Sequence, residues 1–272
     1  CIMNWQFIRA IAEKDLYEVA KNRIALTGAI VLSVIFAVGL PLLITQVAVL
    51  TSGSDQQSFD TLLTSFPPAL LEQLGTLSPT QLPIVLILGY LIAPLFLILP
   101  LVLSCMIAAE AFVGEKERKT LEALLYTPAT DAELFLGKLF ASFIPAVVYT
   151  WVNFLIFALV TNIAGYPVMG RIWFPTGSWL ALMIFVVPAV ALLGVSATVI
   201  ISTRVSTFME AYQASSILVI LIIFLMVAQS MGLLFLSPLI AVLVGLVFFI
   251  IDACLIWIGI RIFSRSELIT RV

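Results

Sequence analysis

The chain has 272 residues, 62% of them hydrophobic and only 10% charged, with a formal net charge of −2 and no histidine. Its mean hydropathy is +1.21, whereas a soluble domain carries about 25% charged residues. Its 28 charged side chains cannot cover the water-facing surface of a 29.7 kDa body, so the composition reads as an all-α integral membrane protein. The near-neutral balance gives no nucleic-acid footprint, and a chain without histidine lacks the commonest general base and metal ligand. Cys1, Cys105 and Cys254 have no CxxC spacing, so neither a zinc site nor a disulfide framework is expected.

Residues 4–22 predict an amphipathic helix. Trp5, Ile8, Ala12, Leu16 and Val19 recur at three- and four-residue spacing, which places them on one face. Lys14 and Glu18 form an i,i+4 pair. Such a helix suits the membrane surface, either as a plain anchor or as an elbow that also touches a partner. The first apolar run begins after residue 23 and is too long for a cleavable signal peptide. The chain therefore divides into an interfacial elbow helix over 1–23 and a membrane domain over 24–272.

A crossing helix needs about 20 apolar residues. Six spans are expected, over 24–48, 83–107, 138–162, 178–202, 212–231 and 238–262. The last two come from one apolar run too long for a single crossing. Gln229-Ser230-Met231-Gly232 and Ser237-Pro238 supply the break, because glycine and proline end helices. Six spans also bring Arg9, Lys14, Lys21, Arg23, Lys116, Arg118, Lys119, Lys138, Arg204, Arg261, Arg265 and Arg271 to one side, leaving Arg171 alone on the other. By the positive-inside rule both termini are then cytoplasmic. Residues 49–82 form the larger outer loop, where Phe66, Leu70, Leu71 and Leu74 suggest a short helix. Pro94, Pro100 and Pro188 should kink their spans, and Gly194/Thr198 spacing permits close packing.

The most informative stretch is the loop 110–138, EAFVGEKERKTLEALLYTPATDAELFLGK. Glu115/Lys119 and Arg118/Glu122 are i,i+4 pairs, Leu121, Leu124 and Leu125 make an apolar edge, and Thr127-Pro128 stops the helix. Thr130-x-x-Glu133 is a capping box opening the next helix. A solvated loop accounts for the basic residues. It does not account for equally many acids, the apolar edge or the capping. A stiff, mixed-charge helix between two spans is what docking to a cytoplasmic protein requires.

This stretch resembles the signature loop of the type-2 permeases of ATP-binding cassette (ABC) transporters. The resemblance rests on Glu115-Lys116-Glu117-Arg118, Thr120-Leu121-Glu122, Leu124-Leu125, Pro128, Glu133-Leu134 and Leu136-Gly137-Lys138, with Lys119 where the family usually has a small residue. IAEKDLYEVAKNR looks like that family's basic elbow helix. The resemblance implies a permease dimer, homodimeric or heterodimeric, with a homodimer expected here. It implies two ATP-binding cassette ATPase subunits on the cytoplasmic face, with ATP and magnesium held by those subunits and no cofactor in this chain. It makes residues 115–125 a coupling helix, with Glu115, Lys116, Glu117, Arg118, Thr120, Leu121, Glu122 and Leu125 as ATPase-coupling residues. A half-size permease without a fused ATPase suggests a prokaryotic plasma membrane.

The chain is not expected to hydrolyse ATP. A P-loop needs GxxxxGK[ST], and neither Gly114-to-Thr120 nor Leu136-Gly137-Lys138-Leu139 supplies it. Asp252 is the one ionisable residue clearly inside a span, and such groups usually face the protein interior. It is an ion, proton or head-group site, or an acid holding helices together. Asn153, Thr150, Ser142 and Ser196 are expected to bond across helices. An intramembrane enzyme is disfavoured, since an aspartyl dyad needs two carboxylates. A secondary transporter or channel would show internal repeats or broken helices with more ionisable groups. A permease that only relays ATPase motion to an extracytoplasmic machine would carry the same loop as an exporter.

Overall fold

The computed structural model describes residues 5–21, 23–51, 77–78, 80–118, 130–231 and 236–262. Every regular element among them is a helix. An elbow helix, Trp5–Lys21, precedes six helices long and apolar enough to cross a membrane. These are span 1 (Thr27–Leu50), span 2 (Gln81–Glu117), span 3 (Glu133–Met169), span 4 (Gly177–Ser202), span 5 (Phe208–Ser230) and span 6 (Pro238–Ile260). The expected helix around Phe66–Leu74 lies outside the described residues.

Spans 2 and 4 form the centre of the bundle. They touch closely because Gly194 has no side chain: a Cβ there would stand 2.2 Å from Ser104 Oγ and 3.2 Å from Cys105 Sγ. The small-residue reading of Gly194 thus has a physical counterpart in a seam that admits nothing larger. Span 6 packs on span 4, the elbow helix lies along span 3, and span 1 packs on span 3. Spans 1, 5 and 6 turn apolar residues such as Leu43, Phe224 and Ile250 outward, as helices in lipid do.

Spans 2 and 3 run further than their hydropathy suggests. Span 2 continues through a π-helical segment, Glu110–Gly114, into Glu115–Glu117. The first charged turn of the loop is therefore the end of span 2 rather than a separate helix. A backbone ladder is indifferent to hydropathy, so the first charge need not end it. Span 3 belongs to a 39-residue helix, Asp131–Met169, opened by the Thr130/Glu133 capping box and closed by Gly170 at φ 66°. That left-handed conformation is the reason a glycine stands there.

The prolines act through the carbonyls they release. Pro94 has no N–H to offer Tyr90, one turn earlier, and span 2 departs from α-geometry through a π segment (Ile87–Leu91) and a 3-10 turn (Leu95–Leu97). Three successive carbonyls there accept side-chain donors from other elements. Leu88 accepts from Trp179 Nε1 at 3.1 Å, Gly89 from Thr176 Oγ1 at 3.5 Å and Tyr90 from Gln229 Nε2 at 2.7 Å. Irregular backbone at membrane depth persists where neighbouring helices satisfy it. Pro188 likewise follows a π segment, Leu182–Val186, where Met183 O accepts from Trp151 Nε1 at 3.0 Å.

The break between spans 5 and 6 falls at the expected place. Helix Val219–Ser230 ends there and the next begins at Pro238, with Ser237 Oγ accepting from Ile240 N. Gln229 is not a surface group of that break, however. It is buried and pins the end of span 5 to span 2.

Candidate functional site

The two ends of the bundle differ in chemistry. One end gathers aromatic rings. Trp179, fully buried, has Phe157 at 5.1 Å, Phe174 at 5.2 Å and Phe96 at 5.3 Å between ring centroids. Asn162 clamps the following loop, accepting from the N–H groups of Trp173 and Phe174 and donating to Phe174 O. The opposite end gathers charge, and Glu115 is its centre.

Glu115 ends span 2 in a buried position, 4% exposed. Its Oε1 lies 2.5 Å from Lys14 Nζ of the elbow helix, and its Oε2 lies 2.6 Å from Lys138 Nζ at the start of span 3. Lys138 is 1% exposed, also donates to Ala111 O and stands over the Phe112 ring. One carboxylate thus joins three segments far apart in sequence. A buried charge is tolerated only when paired and hydrogen-bonded, and removing one member leaves the other stranded.

The next three residues make further ties. Lys116 Nζ donates to Val205 O at 3.3 Å, in the link between spans 4 and 5. Glu117 accepts from Phe208 N at 2.8 Å. That amide belongs to the first turn of span 5, where N–H groups lack intrahelical partners and an anion is favoured. The same turn carries its own capping box, Thr207/Glu210. Arg118 turns back to Glu110, past Gly114, where a Cβ would come within 3.1 Å of the Glu110 carboxyl carbon.

Of the coupling residues expected from sequence, Glu115, Lys116, Glu117 and Arg118 therefore sit together at the charged end. Thr120, Leu121, Glu122 and Leu125 lie outside the described residues, as do Lys119 and the Glu18 side chain, so the expected i,i+4 pairs Glu115/Lys119, Arg118/Glu122 and Lys14/Glu18 lie outside them too. Asp252 is 1% exposed within span 6, facing inward. Asn153 is buried in span 3, and its Nδ2 donates to Tyr149 O, four residues back in its own helix. Ser142 and Thr150 do the same to Lys138 O and Ala146 O. The expected cross-helix bonds from these three side chains are not what forms. A helical serine, threonine or asparagine finds its own i−4 carbonyl nearer than a neighbouring helix. Cross-helix pairs form elsewhere, Thr198 with Ser215 and Ser33 with Tyr149, both at 2.9 Å.

The sequence places Lys14 in a pair with Glu18 and uses Lys138 for orientation and motif matching, and it gives no sign of Glu110 as a partner of Arg118. It also started span 5 at 212, although Thr207-x-x-Glu210 carries the same capping signature as Thr130-x-x-Glu133. A small cleft of about 60 Å³ lies among spans 1, 2, 3 and 5, lined by apolar side chains with Tyr149 and Tyr212. Among the described residues, no group of histidine, cysteine, aspartate or glutamate could hold a metal.

Comparison with known families decides the class. The family of ABC-2 family transporter proteins matches residues 9–244. The chain belongs to the ABC-2 family. It is a membrane-spanning permease subunit of an ABC transporter, and the match runs from the elbow helix into span 6. No curated protein and no solved structure matches it significantly.

Proposed function

We propose that this ABC-2 permease is the membrane half of an ATP-driven exporter. Separate ATPase subunits, which hold the ATP and magnesium, dock on the loop 110–138. Two such subunits serve two permease copies, here a homodimer. The charged end and both termini face the cytoplasm of a prokaryotic cell, as the distribution of lysine and arginine favours.

The observation that supports this reading is the sharing of Glu115 between Lys14 and Lys138, with Glu117 on the first amide of span 5. A push on the segment after Arg118 reaches the elbow helix and spans 2, 3 and 5 through short contacts, with the Glu115–Lys138 pair buried. In this reading Glu115, Lys116, Glu117 and Arg118 transmit, while Thr120, Leu121, Glu122 and Leu125 meet the ATPase. Spans with so few charged residues suit a hydrophobic or amphiphilic cargo rather than a strongly ionic one.

Docking and transmission can be separated. The chain is co-expressed with ATP-binding subunits encoded beside it, purified and assayed for ATPase activity in nanodiscs. Leu121→Asp/Leu125→Asp is expected to lose the ATPase on purification. Glu115→Gln is expected to keep the ATPase bound but lose stimulation by substrate. A Glu117→Arg/Arg118→Glu swap that leaves both binding and stimulation unchanged sinks the reading.

A further inference from the structure

Spans 4 and 6 lie in step. A Cβ on Gly245 would meet Phe185 backbone at 3.0 Å, and one on Gly259 would meet Val199 at 3.5 Å. In both pairs the residue numbers differ by 60, so the two helices hold one register along their seam. Asp252 stands seven residues from each glycine, about two turns away on the same face, and level with Leu192. Ser196 lies on the matching face of span 4. At about 100° per residue it is roughly 20° round from Phe185 and 60° from Val199.

Both polar side chains are 1% exposed. Neither Asp252 carboxyl oxygen, nor Ser196 Oγ, has a hydrogen-bond partner among the described residues. Among the described residues no cation pairs with them. Span 4 carries no charged residue from Gly177 to Ser202. Span 3 meets span 6 at Phe135, where its charged neighbours are already engaged: Glu133 accepts from Thr130 N and Lys138 is held by Glu115. On span 6 itself, Cys254 is exposed and Arg261 stands nine residues beyond Asp252. A bare carboxylate between two apolar helix faces is costly. A carboxylic acid is not, and it gains a donor that the ion lacks.

We propose that Asp252 is a proton-binding site built into the seam between spans 4 and 6. With the seam closed, the carboxyl holds its O–H bond. When the helices part and water enters, the proton passes to water, and the carboxylate is then solvated, with the Ser196 hydroxyl about one turn further along the seam. The glycine contacts on either side make the seam close enough to keep water out, and the two unpartnered groups make it polar enough to admit water once parted. Separation of these spans during the transport cycle then carries a proton step of its own. The protonation itself follows from the geometry of the seam and does not depend on the ATPase docking described above.

The test is infrared spectroscopy of the full chain in nanodiscs at neutral pH, with and without ¹³C-carboxyl aspartate. The chain has five aspartates, Asp15, Asp55, Asp60, Asp131 and Asp252, and the other four lie outside the spans. A protonated-carboxyl stretching band is expected that shifts with the label and disappears in Asp252→Asn. If that variant does not fold, the labelled wild-type spectrum still decides. A labelled wild type with carboxylate bands alone overturns the proposal, and so does a protonated band that survives in Asp252→Asn.

Discussion

The aromatic end and the charged end of this bundle are held by different forces. At the aromatic end, Trp179, Thr176, Gln229 and Asn162 bind backbone groups, and Phe96, Phe154, Phe157 and Phe174 pack around Trp179. These bonding groups are neutral, and their geometry is set by backbone that cannot move without losing several bonds together. At the charged end, the contacts join side chains on long flexible stems, and Lys14 and Arg118 are about half exposed. The neutral end suits a fixed pivot. The charged end suits a joint whose pairs can exchange for water and re-form. A permease driven from one face needs both.

Substitutions can break or sharpen that contrast. Glu115→Gln strands buried Lys138 and should cost about 4 kcal/mol, as loss of one member of a buried pair does. Thermal unfolding in nanodiscs should show the loss, and substrate-stimulated ATPase activity should vanish in the fraction that folds. Phe157→Ala empties the aromatic cluster and should cost about 3 kcal/mol. Its folded fraction should keep ATPase coupling, and a loss of coupling equal to that of Glu115→Gln would erase the distinction between the ends. Asn162→Ala leaves two loop amides without their acceptor and should cost about 1–2 kcal/mol, read as earlier proteolysis of the loop 170–176. Lys14→Met removes the half-exposed partner and should cost below about 1 kcal/mol. High salt should reproduce its effect in the wild type, because exposed charges are screened and the buried Lys138 contact is not.

The sequence is a good guide to this fold where one residue type decides the outcome. Six apolar runs, the break at Ser230–Pro238 and the Thr130/Glu133 box are all readable, because hydropathy and capping are local properties. Span ends were less so: Glu110 suggests a boundary, yet the helix continues because Arg118 and the bare Gly114 accommodate the charge. The candidate site was legible as a set of residues but not as an arrangement. Nothing in the spacing of Lys14, Glu115 and Lys138 says that they meet, since that depends on how the elbow helix lies on span 3. The direction of side-chain bonds was misjudged for Ser142, Thr150 and Asn153, where the nearest acceptor is in the same helix. The Tyr90 carbonyl freed by Pro94 could have been anticipated, but not that Trp179, Thr176 and Gln229 would cover that stretch.

The helix Asp131–Met169 has 39 residues, which at 1.5 Å each makes a rod about 58 Å long. The hydrocarbon layer is about 30 Å thick, so nearly half of the rod stands outside it. One tip is moored beside the aromatic cluster through Val168 O, which accepts from Gln81, and the other carries Lys138 and the elbow helix. A small tilt about the moored tip therefore sweeps the far tip through a wide arc. Leverage, rather than any change in the rod itself, would let a short stroke at the charged end reorient a whole membrane crossing.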